Sequence, residues 1–443
     1  MKYASLISLG CAKNLVDSEH MVMQLVDMGF SMTEKPAEAD LIVVNTCAFL
    51  ESAVQEAIEA ILEASRHKIA GKCSILAAAG CMVQRYGKKL LSELPEVDLF
   101  LGVSHSHELG AAVESKLAGN PRRLWIGRPV RSPGGEAGRA ISTGAHWAYL
   151  KIAEGCSNSC SFCLIPHLRG PLRSRQEEDI LSEAARFAAD GIKEINVIAQ
   201  DTTAFGLDRN EPEALPKLLE KLDAIPGLRW IRLLYSNPDR ITDRLLQTMA
   251  NARKVVPYLD IPIQHSAPAL LTAMGRPAAS LERTIEKIRS TIPGVAIRTS
   301  IMVGFPGETR SQFKSLLAFM ERVEFDHAGV FAYSAEAGTR AARLPGRPGK
   351  KTADGRRAAL LELQRDISRR KLNLLVGRTL PVLIEGPHPE TDLLIAGRLP
   401  TQAPEVDGGV MITRGHAQAG LLCMVQITAS HDYDLEGVIR KRS

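Results

Sequence analysis

Residues 155–163 read Gly-Cys-Ser-Asn-Ser-Cys-Ser-Phe-Cys, which sets Cys156, Cys160 and Cys163 in the spacing C-x3-C-x2-C. Three thiolates this close on one loop can all face one centre, and soft sulfur ligands select iron–sulfur or zinc sites. A closed structural zinc site needs a fourth ligand, and no Cys or His stands at finger spacing; His167 comes next, four residues beyond Cys163. The set fits a cubane with one iron left open better than closed zinc, and better than three unrelated buried cysteines.

The segments around this stretch alternate between strand and helix length. Strands are expected at 148–152, 194–198, 230–234, 255–261, 294–303 and 327–331, with helices such as 178–190 and 282–290 between them. Six βα units imply a parallel barrel or an open part of one, with functional residues in the loops after the strands. Upstream, strands at 3–9 and 41–45 and helices at 16–28 and 51–65 give the pattern of a small α/β layer domain. Residues 127–145, rich in Gly, Pro and Arg, read as a linker. Downstream, 354–375 reads as one long helix ending near Gly377, followed by short β runs at 380–384, 409–413, 422–428 and 435–440 that suffice for a small five-stranded barrel. The expected organisation is α/β: a domain at 1–126, the linker, a core at 146–375 and a small β-barrel at 376–443.

A chain of 443 residues with 45% hydrophobic content exceeds one compact core and excludes disorder as its main state. The longest apolar runs, 41–44 and 74–79, fall far short of the roughly 20 residues that cross a bilayer, so no membrane partner is expected. The start MKYASLISLGCAKN invites comparison with a lipoprotein signal, but Lys13, Asp17 and Glu19 follow the short apolar stretch at once, and a cytoplasmic location is expected. Eight cysteines (11, 47, 73, 81, 156, 160, 163 and 423) are too sparse for a disulfide scaffold and ample for metal sites. Cys11 in LGCAKN, Cys47 in NTCAF and Cys81 in AGC lie 36 and 34 residues apart. Each can end a separate strand and meet the others at one sheet edge. On spacing alone, a shared cluster and isolated buried cysteines both stay open.

The C-x3-C-x2-C set with Phe162 before its last Cys resembles the radical S-adenosylmethionine enzymes. Together with the three N-terminal cysteine motifs, essentially the whole chain resembles the methylthiotransferase family of that superfamily. The resemblance implies an N-terminal cluster domain, a radical S-adenosylmethionine core built as a partial (βα)6 barrel, and a C-terminal TRAM barrel. It further implies an auxiliary [4Fe-4S] cluster on Cys11, Cys47 and Cys81. Cys156, Cys160 and Cys163 would hold a second [4Fe-4S] cluster, whose open iron chelates S-adenosyl-L-methionine and whose electron cleaves it to a 5′-deoxyadenosyl radical. Cys73 and Cys423 are left as packing residues. GIKE at 191–194 lies where the superfamily has a GGE-like segment contacting the cofactor's amino group, which implies Glu194, although a solvated strand-edge carboxylate explains it equally. RTSIMVGFPGET at 298–309 offers Arg298 for the cofactor's carboxylate and Gly304 for close approach, and a plain strand-to-helix turn explains the same residues. Gln200 and Asp201, in IAQDTTAFG, are expected at the active face. His265, in DIPIQHS, reads as structural or catalytic, and no residue is assigned a catalytic acid or base role.

One branch of the family modifies tRNA adenosine and another an aspartate of ribosomal protein uS12. LGCAKNLVDSE at 9–19 resembles the ribosomal-protein branch, where the tRNA branch more usually has a GCQMN version. Residues 378–439 carry three Arg (378, 398, 414) against eight acids (385, 390, 392, 405, 407, 432, 434, 436). An RNA-holding barrel should be basic, whereas an acidic surface suits a basic ribosomal protein. The excess of base sits at 151–377, with 34 basic and 26 acidic residues. There HLRGPLRSR places Arg169, Arg173 and Arg175 as a patch for an acidic substrate, an anionic cofactor end or ribosomal RNA. The expectation is methylthiolation of the β-carbon of a uS12 aspartate, free or within the ribosome or an assembly intermediate, with an electron donor and a sulfur donor as further partners. A tRNA adenosine methylthiotransferase and a non-catalytic iron–sulfur carrier are the alternatives.

Overall fold

The computed structural model describes residues 2–130, 138–276 and 280–440; the centre of the linker, 131–137, and the basic pair at 441 and 442 lie outside these. Strands β1 (Lys2–Ser8), β2 (Phe30–Met32), β3 (Leu41–Thr46), β4 (Ile75–Gly80), β5 (Leu99–Gly102) and β6 (Leu124–Trp125) form a parallel sheet in the order β2-β1-β3-β4-β5-β6. Its central strands LIVVNT and ILAAAG are buried throughout, as strands covered by helices on both faces require. Ile42, Val44, Leu76 and Ala78 enter one core, and Leu41, Val43, Ala77 and Ala79 enter the other. The expected helix at 16–28 begins earlier, at Ala12, because extended Cys11 is its N-cap and the Cys11 carbonyl accepts the Asn14 and Leu15 N–H groups.

The central sheet uses β7 (Trp147–Lys151), and β8 (Ala153–Glu154) and β9 (Arg173–Ser174) form a small antiparallel ribbon beside it. Next come β10 (Glu194–Ile198), β11 (Trp230–Leu233), β12 (Val255–Asp260), β13 (Ala296–Val303) and β14 (His327–Ala332). The parallel order β14-β13-β12-β11-β10-β7 is a six-stranded partial barrel, as expected. Apolar residues of the outer face pack under the helices, while Trp147, Tyr149, Ile198, Trp230, Leu234, Tyr258 and Ala296 form a second cluster with Val16 of the first helix and with Leu383 and Ala403 of the C-terminal barrel.

Strands β15 (Thr379–His388), β16 (Thr391–Arg398), β17 (Val410–Arg414), β18 (Leu422–Ser430) and β19 (Leu435–Ile439) close a barrel in the order β15-β16-β17-β19-β18. The loop between β16 and β17 lies against the central strands. Arg232 donates to the Pro400 carbonyl (2.7 Å), the Tyr149 hydroxyl to Glu405 (2.8 Å) and the Tyr258 hydroxyl to Asp407 (2.7 Å). This corrects the charge argument from sequence. Asp407 is buried against Arg298 and His327, Glu405 holds Tyr149, and Glu385, paired with Arg398 inside the barrel (2.6 Å), also faces His146 of the core (3.8 Å), so three of the eight acids lie at the junction of barrel and core.

Candidate active site

The three N-terminal cysteines follow neighbouring strands of one sheet. Cys11 stands three residues after β1, Cys47 directly after β3 and Cys81 directly after β4. The glycine before a cysteine makes this possible. Gly10 has φ +94°, and a Cβ there would lie 2.7 Å from the Cys47 Cβ; at Gly80, φ +96°, it would lie 2.4 Å from the Asn45 Oδ1. The Asn14 side chain donates to the carbonyls of Leu9 (2.6 Å) and Asn45 (3.3 Å), each two residues before a cysteine, and so ties both loops together. Burial pushes the Cys81 thiol up to about 12, with Arg169 opposing the rise. At Cys11, which keeps exposed surface, desolvation acts in the same sense but is outweighed by Lys13 and Arg169, and the thiol falls below its ordinary value. A thiol of the Cys81 kind becomes a ligand only when metal displaces its proton.

The second set lies on the loop after β8, where the Cys156 sulfur accepts the Asn158 N–H (3.5 Å) and the Cys163 sulfur the Ile165 N–H (3.4 Å), and other groups brace the rest of the loop. Ser161 N–H donates to the Met274 carbonyl (2.8 Å) and its hydroxyl to the Ala273 carbonyl (2.8 Å). Asn158 donates to Asp201 (2.8 Å), which also accepts from Arg240 (2.6 Å). Burial raises the Cys163 thiol to about 12. Among the described residues no three His, Cys, Asp or Glu side chains converge for a single metal ion.

Between the two sets runs a buried ionic network. The Arg169 Nη1 lies 2.9 Å from Asp17 and 3.0 Å from Glu154, and Lys151 bridges Asp17 (2.5 Å) and Glu154 (3.0 Å). Gln200 donates to Glu154 (2.6 Å). Burial alone would raise the Glu154 carboxyl; Arg169 and Lys151 outweigh it and hold the group well below the ordinary carboxylate range. A second link between the domains runs from Arg85 to Glu336 (3.0 Å), which also accepts the Glu51 N–H (2.9 Å) just beyond the Cys47 loop.

Three family models match: uncharacterized protein family UPF0004 at residues 3–102, the radical SAM superfamily at 150–320 and the TRAM domain at 376–439. The ribosomal protein uS12 methylthiotransferase RimO of Syntrophobacter fumaroxidans is 58% identical over 442 residues, covering 100% of this chain and 99% of that protein. The RimO of Geobacter sulfurreducens is 44% identical, over 98% of each chain. The chain belongs to the RimO family. It is therefore a radical SAM methylthiotransferase, with S-adenosylmethionine and [4Fe-4S] clusters as its cofactors. The fold is also that of the radical S-adenosylmethionine methyltransferase TsrM from Kitasatospora setae, at TM-score 0.55 and 15% identity over 75% of this chain and 72% of that one. The cobalamin-dependent radical enzyme OxsB matches at TM-score 0.52 and 12% identity, over 83% and 56%.

Within this RimO-family chain the three residues first assigned to S-adenosylmethionine are committed elsewhere. Glu194 opens β10, at the strand end away from the cysteine loop, and pairs fully buried with Arg232 (2.9 Å) and Arg398 (2.6 Å). Arg298, third residue of β13, is bound to Asp407 and the Val406 carbonyl of the C-terminal barrel. Gly304 gives its N–H to Glu308, and a Cβ there would meet the Ala353 Cβ at 2.6 Å, so the glycine serves helix packing. His265 is wholly buried, accepts the Ala267 N–H (2.9 Å) and faces Glu308 at 3.6 Å, which is a structural arrangement. Of the arginine patch, Arg169 is buried and Arg175 is bound to Glu183 (2.5 Å), so the stretch is not a solvent-facing phosphate site.

Other residues fit the cofactor better. Among the described residues, both amide atoms of Asn196, the Gln200 Oε1 and the Asp260 Oδ1 are buried with no hydrogen-bond partner. Asn196 has the same parity on β10 as inward-facing Ile198, Gln200 lies two residues past the end of that strand, and Asp260 ends β12. Each orphaned group costs about 1–3 kcal/mol, which a polar ligand with amino, carboxylate and ribose groups would offset. Tyr235 adjoins them with φ +60°, a strained value for a non-glycine residue; its N–H donates to Asp260 (3.1 Å) and its ring lies 3.3 Å beneath the Lys13 ammonium. Orphaned atoms of this kind appear only after the chain is folded, whereas inward parity on β10 was a signal within reach of the sequence.

The new role of Glu194 carries a prediction. Glu194→Ala leaves Arg232 and Arg398 buried without their shared carboxylate and lowers unfolding free energy by about 3–5 kcal/mol, read by denaturant titration. Burial opposes ionisation of Glu194, but Arg398 and Arg232 hold its carboxyl below the ordinary value. That stability is full above the unfolded carboxylate range and is lost as pH falls through the folded value, so the gap between parent and variant narrows in acid.

Proposed function

We propose that this protein methylthiolates the β-carbon of an aspartate in ribosomal protein uS12, using S-adenosylmethionine and two [4Fe-4S] clusters. One cluster would be held by Cys11, Cys47 and Cys81 and the other by Cys156, Cys160 and Cys163. We take residues 1–126 as the auxiliary-cluster domain, 127–145 as the linker, 146–375 as the radical core and 376–443 as the TRAM domain. The observation that carries the reading is two three-cysteine sets, each one ligand short of closing a cubane, at carboxyl strand ends joined by one buried network. An unactivated β-carbon offers neither an acidic proton nor a leaving group, so acid–base chemistry cannot functionalise it. When bound, S-adenosylmethionine and the reduced cluster supply the hydrogen-abstracting radical such a carbon requires.

The chain's own residues prepare the site. Asn196, Gln200 and Asp260 supply polar contacts for the cofactor, Asp201 and Arg240 hold the cysteine loop through Asn158, and Lys13 and Tyr235 cover the site from the N-terminal side. The uS12 assignment draws on the names of the relatives and on LGCAKNLVDSE, whose Asn14, Asp17 and Glu19 each make an interdomain or loop-tying contact; Glu19 binds Arg139 (3.0 Å) and Ser142 (2.8 Å). Mass analysis of uS12 from cells lacking this protein tests the proposal. The expected result is loss of one methylthio increment on an aspartate, restored by the wild-type gene; an unchanged uS12 mass, with methylthio-adenosine missing from tRNA instead, would overturn it.

A further inference from the structure

The short helix Ile165–Arg169 begins two residues after Cys163, and Leu164 and Leu168 pack into the same core as Cys81 and Met82. Its last residue, Arg169, is 2% exposed. The guanidinium reaches Asp17 and Glu154 with Nη1 and the Asn14 Oδ1 (3.3 Å) with Nη2; Asn14 is the residue that ties the Cys11 and Cys47 loops. Lys13 and Lys151 are also buried, Lys13 over the Tyr235 ring, and among the described residues the carboxylates in ion-pair contact with these three cations are Asp17 and Glu154, so positive charge is in excess. A buried positive charge in excess is strongly unfavourable unless an anion compensates it. Three thiolates on Cys11, Cys47 and Cys81 would be that anion.

We propose that Arg169 is a positioning residue for the auxiliary cluster: a fixed counter-charge at the domain junction that stabilises the more negative, reduced state and raises the cluster's potential. The inference rests on the assignment of that cluster to Cys11, Cys47 and Cys81. Charge near a cluster is one of the levers that set its potential, and in a buried site it is weakly screened.

The test uses the full chain with Cys156, Cys160 and Cys163 all replaced by alanine, so that only the N-terminal set takes up iron. The midpoint potential is measured by mediated reduction with dithionite and followed by electron paramagnetic resonance. Arg169→Gln is expected to move the potential down, Asp17→Asn to move it up, and Arg169→Lys to stay near the parent. A purely structural role would not invert sign between the first two. No shift in either, or shifts in one direction, would overturn the proposal. If Arg169→Gln fails to take up iron, Asp17→Asn decides alone: an upward shift supports the counter-charge, and no shift or a downward one refutes it. Absence of any cluster in the background protein would instead overturn the cluster assignment beneath it, and iron content separates the two failures.

Discussion

Cys160→Ala is expected to reduce 5′-deoxyadenosine formation to background and to leave uS12 unmodified, with the protein still folded. Cys160 is half-buried on a loop whose shape depends on other groups: Ser161 on the Met274 and Ala273 carbonyls, Asn158 on Asp201 and Arg240, and the Arg340 guanidinium on the Ser159 carbonyl. Removing one sulfur from such a loop should change stability by less than about 0.5 kcal/mol, in the range of substitutions outside a packed core. The cluster has no substitute ligand in the sequence nearby, His167 being the first imidazole beyond Cys163. Reconstituted iron should therefore fall from about eight atoms per chain to about four, the content of one [4Fe-4S] centre. Reversed-phase separation of deoxyadenosine and colorimetric iron on the same preparation check both statements; deoxyadenosine formation at the parent rate would refute the assignment of Cys160.

The fold was legible where the signal is local. The apolar run at 41–45 announces a buried parallel strand, found as Leu41–Thr46 directly before Cys47, whereas the run at 74–79, read only as too short to cross a bilayer, is the strand Ile75–Gly80 directly before Cys81. The sequence reading failed where an assignment turned on which end of a strand a residue occupies. The resemblance of GIKE to a GGE-like segment implies Glu194 for the cofactor, but Glu194 opens β10 at its amino end, paired with Arg232 and Arg398, while the carboxyl end of the strand runs toward Gln200. Arg298 and the acids of the C-terminal segment failed for a different reason. Their partners lie about a hundred residues away across a domain boundary, as in Arg298 with Asp407, and no periodicity encodes that pairing. Arg169 looked like part of a surface patch because arginines usually are; its burial is specified by Asp17, in a motif quoted only as a family marker.

Cys81→Ala should separate two activities that the family chemistry couples. The variant is expected to retain deoxyadenosine formation, to lose methylthiolation of uS12, and to hold about four iron atoms per chain in place of about eight, since one cubane of two remains. Cys81 is buried as the first residue of the helix Cys81–Tyr86, and alanine suits that position, so loss of one sulfur from the core should cost about 1 kcal/mol. The radical site should survive because its loop is braced from Met274, Ala273, Asp201 and Arg240, none of them in the N-terminal domain. The shared element is Arg169. With the N-terminal cluster gone, its excess charge is left uncompensated, so the ionic junction with Asp17 and Glu154 should loosen and the domains should become more open to protease at the linker. Measuring iron, deoxyadenosine and the uS12 mass increment on one preparation distinguishes the outcomes. Loss of both clusters from this single change would mean that the N-terminal cysteines hold the fold, not a second site of chemistry.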